Sequence, residues 1–270
     1  MCAGGYPSVA MCGRFTLTFP DYETLARALG VEPDPDAAEI YRPRYNVAPT
    51  DPHWVLRVKD GKRELCLATW GLVNSWASDG SGGAKKINAR AETVATSPAF
   101  KHAFEKRRCV VPADGFYEWT GKKGARRPIW FHPPEGGLIH LAGLYESWKD
   151  AEGSWHRTFT IVTTAANDTV RGAHDRMPVI LAPEEVGAWM DPGAGKEAAG
   201  RKRLMGLLDA APEGAIEGVA VSPRVNSVEN DDAGVLEGTG EALPVAEPLA
   251  EQLDMFGGAV AATVAKGRGR

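Results

Sequence analysis

Apolar and polar residues alternate through the middle of the chain, and helical spacing is confined to short stretches around it. In "DYETLARALG" Leu25 and Leu29 fall on one helical face, Asp21 stands at the cap position and Gly30 at the stop, so a short helix is predicted. "HWVLRVKDGKRELCLATWGL" has two apolar-alternating runs around Asp60-Gly61, the pattern of a tight hairpin. "SPAFKHAF" predicts a helix capped by Ser97 with Pro98 at its first position. "CVVPADGFYEW", "PIWFH", "LIHLAGLYESW" and "RTFTIVTTA" are rich in β-branched and aromatic residues and parted by Gly or Pro, as strands are. Two more helices are predicted at "PEEVGAWM" and "KEAAGRKRLMGLLDAA". Without a βαβα rhythm, this order predicts an α+β domain with a largely antiparallel core. After about Leu236 the chain turns to Ala, Gly, Glu and Pro, which cannot bury enough apolar surface to fold alone. Residues 239–270 are read as a disordered tail.

A chain of 270 residues can bury one sizeable core, and 43% hydrophobic with 24% charged residues is ordinary for a globular protein. No apolar run approaches the ~18 residues of a membrane span. The N-terminus lacks the basic-then-apolar pattern of a secretion signal, so a cytoplasmic protein is expected. Cys2, Cys12, Cys66 and Cys109 show no CxxC spacing and no close His, so neither a metal site nor another cofactor is expected. "GAGKEAAG" lacks both the spacing and the Ser or Thr of a phosphate loop. The net charge of −4 argues against a nonspecific nucleic-acid coat. Residues 85–127 nevertheless carry eleven Lys or Arg against Glu92, Glu105, Asp114 and Glu118, a local +7 that could face a polyanion, although charge alone favours a solvated helix face with a lysine-rich turn.

Seven segments carry the chemistry, in this order: "MCGRF", "RYNVAPT", "WGLVNSW", "INARAET", "RCVVPADGFYEW", "AHDRMPVIL" and "VSPRVN". Together they resemble the SRAP family, the SOS response-associated peptidases, from Met11 to about Leu236. The resemblance implies a protein that captures abasic sites in single-stranded DNA covalently, through a thiazolidine on an N-terminal cysteine. The chemistry is specific. An amine condenses with the lesion's aldehyde, and only a thiol on the same residue can close a five-membered ring. An α-amine, with a pKa of about 7.7–8.0, is partly neutral near pH 7, whereas the amide nitrogen of an internal Cys is not nucleophilic. Cys12 therefore works only without residues 1–11, an extension that the resemblance implies is absent or removed; the working domain is then 12–238.

By the same resemblance, Asn88 orients the terminal residue, Glu118 moves the amine's proton, and His174 exchanges protons with the sugar oxygen. Arg14, Arg90 and Arg176 hold phosphates. Asn46, Pro49 and Trp70 form a floor and wedge against neighbouring bases, with core packing a competing role for Trp70. Asn74 stands where relatives usually have Pro. Two other readings stay open: a cysteine peptidase using Cys12 and His174, on other substrates or only on its own extension, and a non-enzymatic single-strand binding module. In the tail, Gln252-Leu253-Asp254-Met255-Phe256 resembles the bacterial sliding-clamp binding peptide, so the clamp is an expected partner and the nucleoid the expected place of work.

Overall fold

The computed structural model describes residues 13–122 and 125–243. Cys12 and the clamp-like peptide Gln252, Leu253, Met255 and Phe256 lie outside them. In chain order the elements are β1 (Phe15–Leu17), α1 (Tyr22–Ala28), α2 (Pro35–Ile40), β2 (Arg44–Val47), β3 (Pro52–Lys59), β4 (Lys62–Trp70), β5 (Asn88–Arg90), α3 (Lys101–Lys106), β6 (Arg108–Ala113) and β7 (Gly115–Thr120). There follow β8 (Arg127–His132), β9 (Ile139–Lys149), β10 (Trp155–Ala165), α4 (Asp168–Arg171), β11 (Arg176–Pro178), β12 (Ile180–Leu181), α5 (Glu185–Met190), α6 (Ala198–Met205) and β13 (Glu217–Ala220). This is the α+β architecture expected, with mostly antiparallel pairing; β10 alone pairs in parallel, with β4 and β5.

Local chemistry explains the elements that match expectation. Asp21 caps α1 by accepting from the Thr24 N–H at 2.7 Å, and Gly30 ends the turn at φ +66°. Asp60 and Gly61 both take positive φ (50° and 78°), the mirror-image turn whose twist suits the β3–β4 hairpin. Helix α3 differs: it starts at Lys101, not at Pro98, and has no side-chain cap. The reason is tertiary. Asn74 Nδ2 donates to the Ala99 carbonyl at 2.7 Å, taking that acceptor out of a helical ladder and leaving residues 98–100 as turns. Asp114 splits the expected "CVVPADGFYEW" strand into β6 and β7. Its carboxylate accepts from the Thr16 hydroxyl (2.5 Å) and from the Thr18 N–H and hydroxyl (2.5 and 2.6 Å).

One sheet runs β13-β8-β7-β1-β2. In the other, β10-β4-β3-β6-β9 returns on itself because β9 also pairs with β10, so these five strands close into a small barrel. Alternation then sorts the side chains. Val55, Cys109, Val111, Leu141, Phe159 and Ile161 share the inner face. Leu56, Val110, Ala142, Leu144 and Val162 face out, under Leu25 of α1, Phe104 of α3, Trp189 of α5 and Leu204 of α6. The smaller sheet plugs one end of the barrel with Phe15, Phe116, Ile129 and Phe131. Downstream, Val235 is buried, the Thr239 N–H bonds the Ala220 carbonyl at 2.9 Å and Arg127 pairs with Glu241 at 3.0 Å.

Candidate functional site

The motifs meet at the plugged end, where strand termini gather. Strand β10 is the organiser: Thr163 pairs with Arg90 on one side and with Pro178 on the other. "INARAET" and "AHDRMPVIL" thus flank one strand end. Trp70 locks this group to the first motif. It is fully buried, donates its Nε1–H to the Ile87 carbonyl at 2.9 Å, and packs on Phe15 with ring centroids 5.0 Å apart. The Thr50 N–H, one residue past Pro49, donates to the Trp70 carbonyl at 2.9 Å. Pro49 itself is half-buried.

The other motifs converge on Arg14 and Asn46. Asn46 is fully buried, and its Nδ2 reaches the carbonyls of Asn230 (2.8 Å), Ser227 (3.0 Å) and Val225 (3.2 Å). Arg14 Nη1 donates to Asn46 Oδ1 and to the Val225 carbonyl, both at 2.9 Å, and its guanidinium lies 5.8 Å from the Trp119 ring centroid. Burial pushes the Arg14 guanidinium below its ordinary value, with Asp51 and Tyr117 pulling it back. The β1–β7 register pairs Phe15 with Phe116, and the Tyr117 N–H bonds the Arg14 carbonyl at 3.0 Å. Continued by one residue, that register sets Gly13 opposite Glu118, which is 3% exposed.

His174 sits just past α4, largely buried. Its Nδ1 faces both the Arg176 N–H, at 3.0 Å, and Asp175 Oδ1, at 2.9 Å; accepting from the first puts the neutral ring's proton on Nε2, and donating to the second keeps it on Nδ1. Burial lowers its pKa most. Asp175, whose Oδ1 lies 2.9 Å from Nδ1, raises it, while Arg176 and Arg126 lower it. The net shift is downward, which favours the neutral imidazole at pH 7. Arg176 is engaged: Nη1 pairs with Glu92, Nη2 reaches Glu92 Oε2 at 3.0 Å and the Thr163 carbonyl at 2.6 Å. Arg90 is exposed, and Asn88 is half-buried on β5.

Two expectations change. Trp70, expected as a base-stacking wedge, has neither face available: it packs on Phe15 on one side and lies nearly parallel to Phe159, at 6.2 Å, within the core. The exposed aromatic of the same motif is Trp76, at 73% exposure, which the sequence reading quoted in "WGLVNSW" without singling out. The basic stretch 85–127 does not act as one face. Arg108 is buried and donates to the carbonyls of Trp189 (2.7 Å), Phe104 (2.5 Å) and Asp191, Arg107 pairs with Glu146, and Lys86 bonds Asn74. Glu92 and Arg126 were counted only as charges, although one clamps Arg176 and the other biases His174. Asn74, in place of the usual Pro, is buried and bridges Lys86 to the Ala99 carbonyl, pinning the Trp76 loop.

The family model for SOS response associated peptidase (SRAP) matches residues 11–228. The chain is 36% identical to the abasic site processing protein YoqW of Bacillus subtilis over 229 residues, covering 84% of this chain and 99% of that one. Against YedK of Escherichia coli, also an abasic site processing protein, identity is 31% over 239 residues with the same coverage of both. Against HMCES of Gallus gallus it is 32%, covering 71% of this chain and 65% of that one. A crystal structure from Bacteroides thetaiotaomicron superposes with a TM-score of 0.75 at 24% identity, covering 84% of this chain and 100% of that one, a likeness of fold. A phage-related protein from Bordetella bronchiseptica gives 0.57 at 30% identity, with 78% and 94% covered.

Proposed function

The chain belongs to the SOS response-associated peptidase family, and from that premise we propose that it processes abasic sites in single-stranded DNA by covalent capture on Cys12. The observation that carries this reading is the β1–β7 register, which sets Gly13 opposite the buried Glu118. In this reading Glu118 is the carboxylate that serves the Cys12 amine. The family match also begins at Met11, so removal of a Met directly before the cysteine gives the required free amine. The working domain then spans residues 12–238.

In the proposed sequence the Cys12 amine, neutral after Glu118 takes its proton, adds to the aldehyde carbon of the ring-opened lesion. Glu118 returns a proton as the carbinolamine loses water to form the imine. The Cys12 thiol adds across that C=N bond, sulfur to carbon and hydrogen to nitrogen, closing the thiazolidine. Asn88 orients the terminal residue. His174, neutral near pH 7, takes up the proton of the C1 hydroxyl as the ring C1–O bond breaks, and the imidazolium so formed gives a proton to the released sugar oxygen; reversal runs the same exchange backwards. Arg14, Arg90 and Arg176 grip flanking phosphates, and Trp76 offers the face on which a neighbouring base can stack. The clamp-like peptide around Leu253 and Phe256 tethers this activity to replicating DNA in the nucleoid.

The test is a denaturing gel of the protein incubated with abasic single-stranded DNA. A shifted, heat-stable band is expected from protein shown by mass spectrometry to begin at Cys12, and none from Cys12→Ala. A normal adduct from Cys12→Ala, or a full-rate adduct from protein retaining residues 1–11, overturns the mechanism.

A further inference from the structure

The barrel has a second mouth, at the opposite end of β10 from the lesion site. Trp155 begins the strand and Thr163 lies eight residues on, about 26 Å at roughly 3.3 Å per residue. A cleft opens at this mouth, and the side chains around it follow from alternation. Arg157 shares a face of β10 with Phe159 and Ile161, as Arg57 and Lys59 share a face of β3 with Val55. They continue the inner face of the barrel past the point where apolar packing ends. Arg57, Lys59, Ser147, Trp155, His156 and Arg157 line the cleft, together with the edge of Leu67; among the described residues no carboxylate lines it.

Two features mark this mouth as more than a solvated rim. Arg57 and Arg157 each bury an Nε–H that meets no oxygen acceptor among the described residues, the Arg57 guanidinium lying beside the Cys66 thiol and 5.3 Å from the Tyr145 ring centroid. The Arg57 side chain is only 9% exposed. Each arginine is anchored at its far end, Arg57 Nη2 by Glu64 at 3.1 Å and Arg157 Nη1 by the Leu67 carbonyl at 3.1 Å, so neither can turn freely to find water. A buried unpaired donor in a native protein calls for an explanation, and a bound anion supplies one. Beside them Trp155 is 70% exposed, with Lys149 Nζ 5.9 Å from its ring centroid. Asp150 holds the neighbouring His156 at 2.6 Å.

The geometry points to a second nucleotide site at this mouth, in which Arg57, Arg157 and Lys59 hold a phosphate and Trp155 stacks the attached base. A planar guanidinium pair beside an exposed indole is the combination that binds a single strand without reading its sequence. The ligand is a nucleotide unit, from a stretch of single-stranded DNA outside the reacting segment or from a free nucleotide. The site does not depend on covalent capture, because it needs neither Cys12 nor a lesion.

The test uses undamaged, labelled oligo-dT of about 5 and about 16 nucleotides, within the range of single-strand site sizes, and labelled dTMP. Each is titrated with the full chain by fluorescence anisotropy at several salt concentrations. The 16-mer is expected to bind more tightly than the 5-mer, and Trp155→Ala and Lys59→Ala, both at exposed positions, to weaken it by about tenfold and severalfold respectively. Lys59→Ala also lowers the log–log salt slope by about 0.7. Saturable dTMP binding that Arg157→Ala abolishes supports the same site with a free nucleotide as its occupant. Unchanged affinity and salt slope for the 16-mer in both variants, with no dTMP binding, overturns the site. Loss of the abasic adduct alone would bear only on the lesion chemistry.

Discussion

The two ends of the barrel are built from the same strands and differ in what covers them. At the plugged end a second sheet lays Phe15, Phe116 and Phe131 over the opening, and His53, Trp70 and Phe159 complete an aromatic cluster. Around that dry support stand Asn88 and Arg176 at strand ends, His174 in a turn and Glu118 within β7. At the open end no second sheet of the described residues lies over the mouth, and Arg57, Lys59 and Arg157 line the cleft. The difference fits the proposed division between chemistry at one end and phosphate grip at the other. A proton-transfer residue needs a shifted pKa and a fixed orientation, and both come from burial against a rigid neighbour. Phosphate grip needs only charge and an opening.

The comparison is most sharply broken by His174. His174→Ala is expected to slow adduct formation or its reversal by about 10²–10⁴-fold, as loss of a general acid–base group does. Arg90→Ala instead weakens binding and lowers the log–log salt slope by about 0.7. Single-turnover gels and salt titrations separate the two, and swapped phenotypes would mean that chemistry and grip are assigned to the wrong residues.

The two tryptophans of "WGLVNSW" come next. Trp70→Ala should destabilise the fold by about 3–5 kcal/mol in urea unfolding, because it empties a fully enclosed site and removes one of the two donors to the Ile87 carbonyl, leaving only the Ile161 N–H. Trp76→Ala should stay within about 0.5 kcal/mol of the parent and act on DNA affinity instead. A large stability loss at Trp76, or none at Trp70, would reverse their roles.

Acid should weaken the plugged end through His53. Complete burial lowers its pKa to about 3, against a smaller upward push from the Pro112 carbonyl that its Nε2–H meets at 2.9 Å. The unfolded chain, with the ordinary value near 6.5, binds the proton first. This contribution is therefore fully present above about pH 6.5 and falls by roughly 1.4 kcal/mol per pH unit below it, down to about pH 3. His53→Phe should flatten that slope relative to the parent in chemical unfolding at pH 7, 6 and 5; identical slopes would remove His53 as the cause.

The smallest effect is expected at Glu92, whose carboxylate occupies the Arg176 fork. Glu92→Ala should free that fork and tighten binding of single-stranded DNA by up to about fivefold, the scale of a partly exposed ion pair of about 0.2–1 kcal/mol. Weaker binding on removing this negative charge would show that Glu92 positions Arg176 for phosphate rather than competing with it.

Much of the fold was legible in the sequence because it rests on local chemistry. The Asp21 cap, the Asp60-Gly61 turn and the long alternating runs of β3, β4, β9 and β10 are each specified by a few neighbouring residues. Where the reading slipped, a distant partner had intervened: Asn74 took the Ala99 carbonyl and delayed α3, and Asp114 bound Thr16 and Thr18 and split a strand in two. The site was legible as motifs but not as contacts. Nothing within "INARAET" says that Glu92 faces Arg176, or within "YNVAP" that Asn46 binds three carbonyls between Val225 and Asn230.

The sequence by itself determined the element types, the turn residues and, through seven ordered motifs, the family. Tertiary structure alone decided which tryptophan is sealed and which is free, which arginines carry structure and which face an opening, and that β9 and β10 close a barrel with two unlike ends. The physical reason is range. Periodicity and capping act across a few residues, whereas burial depends on what packs opposite, and here that partner is as far away in sequence as Phe159 is from Trp70.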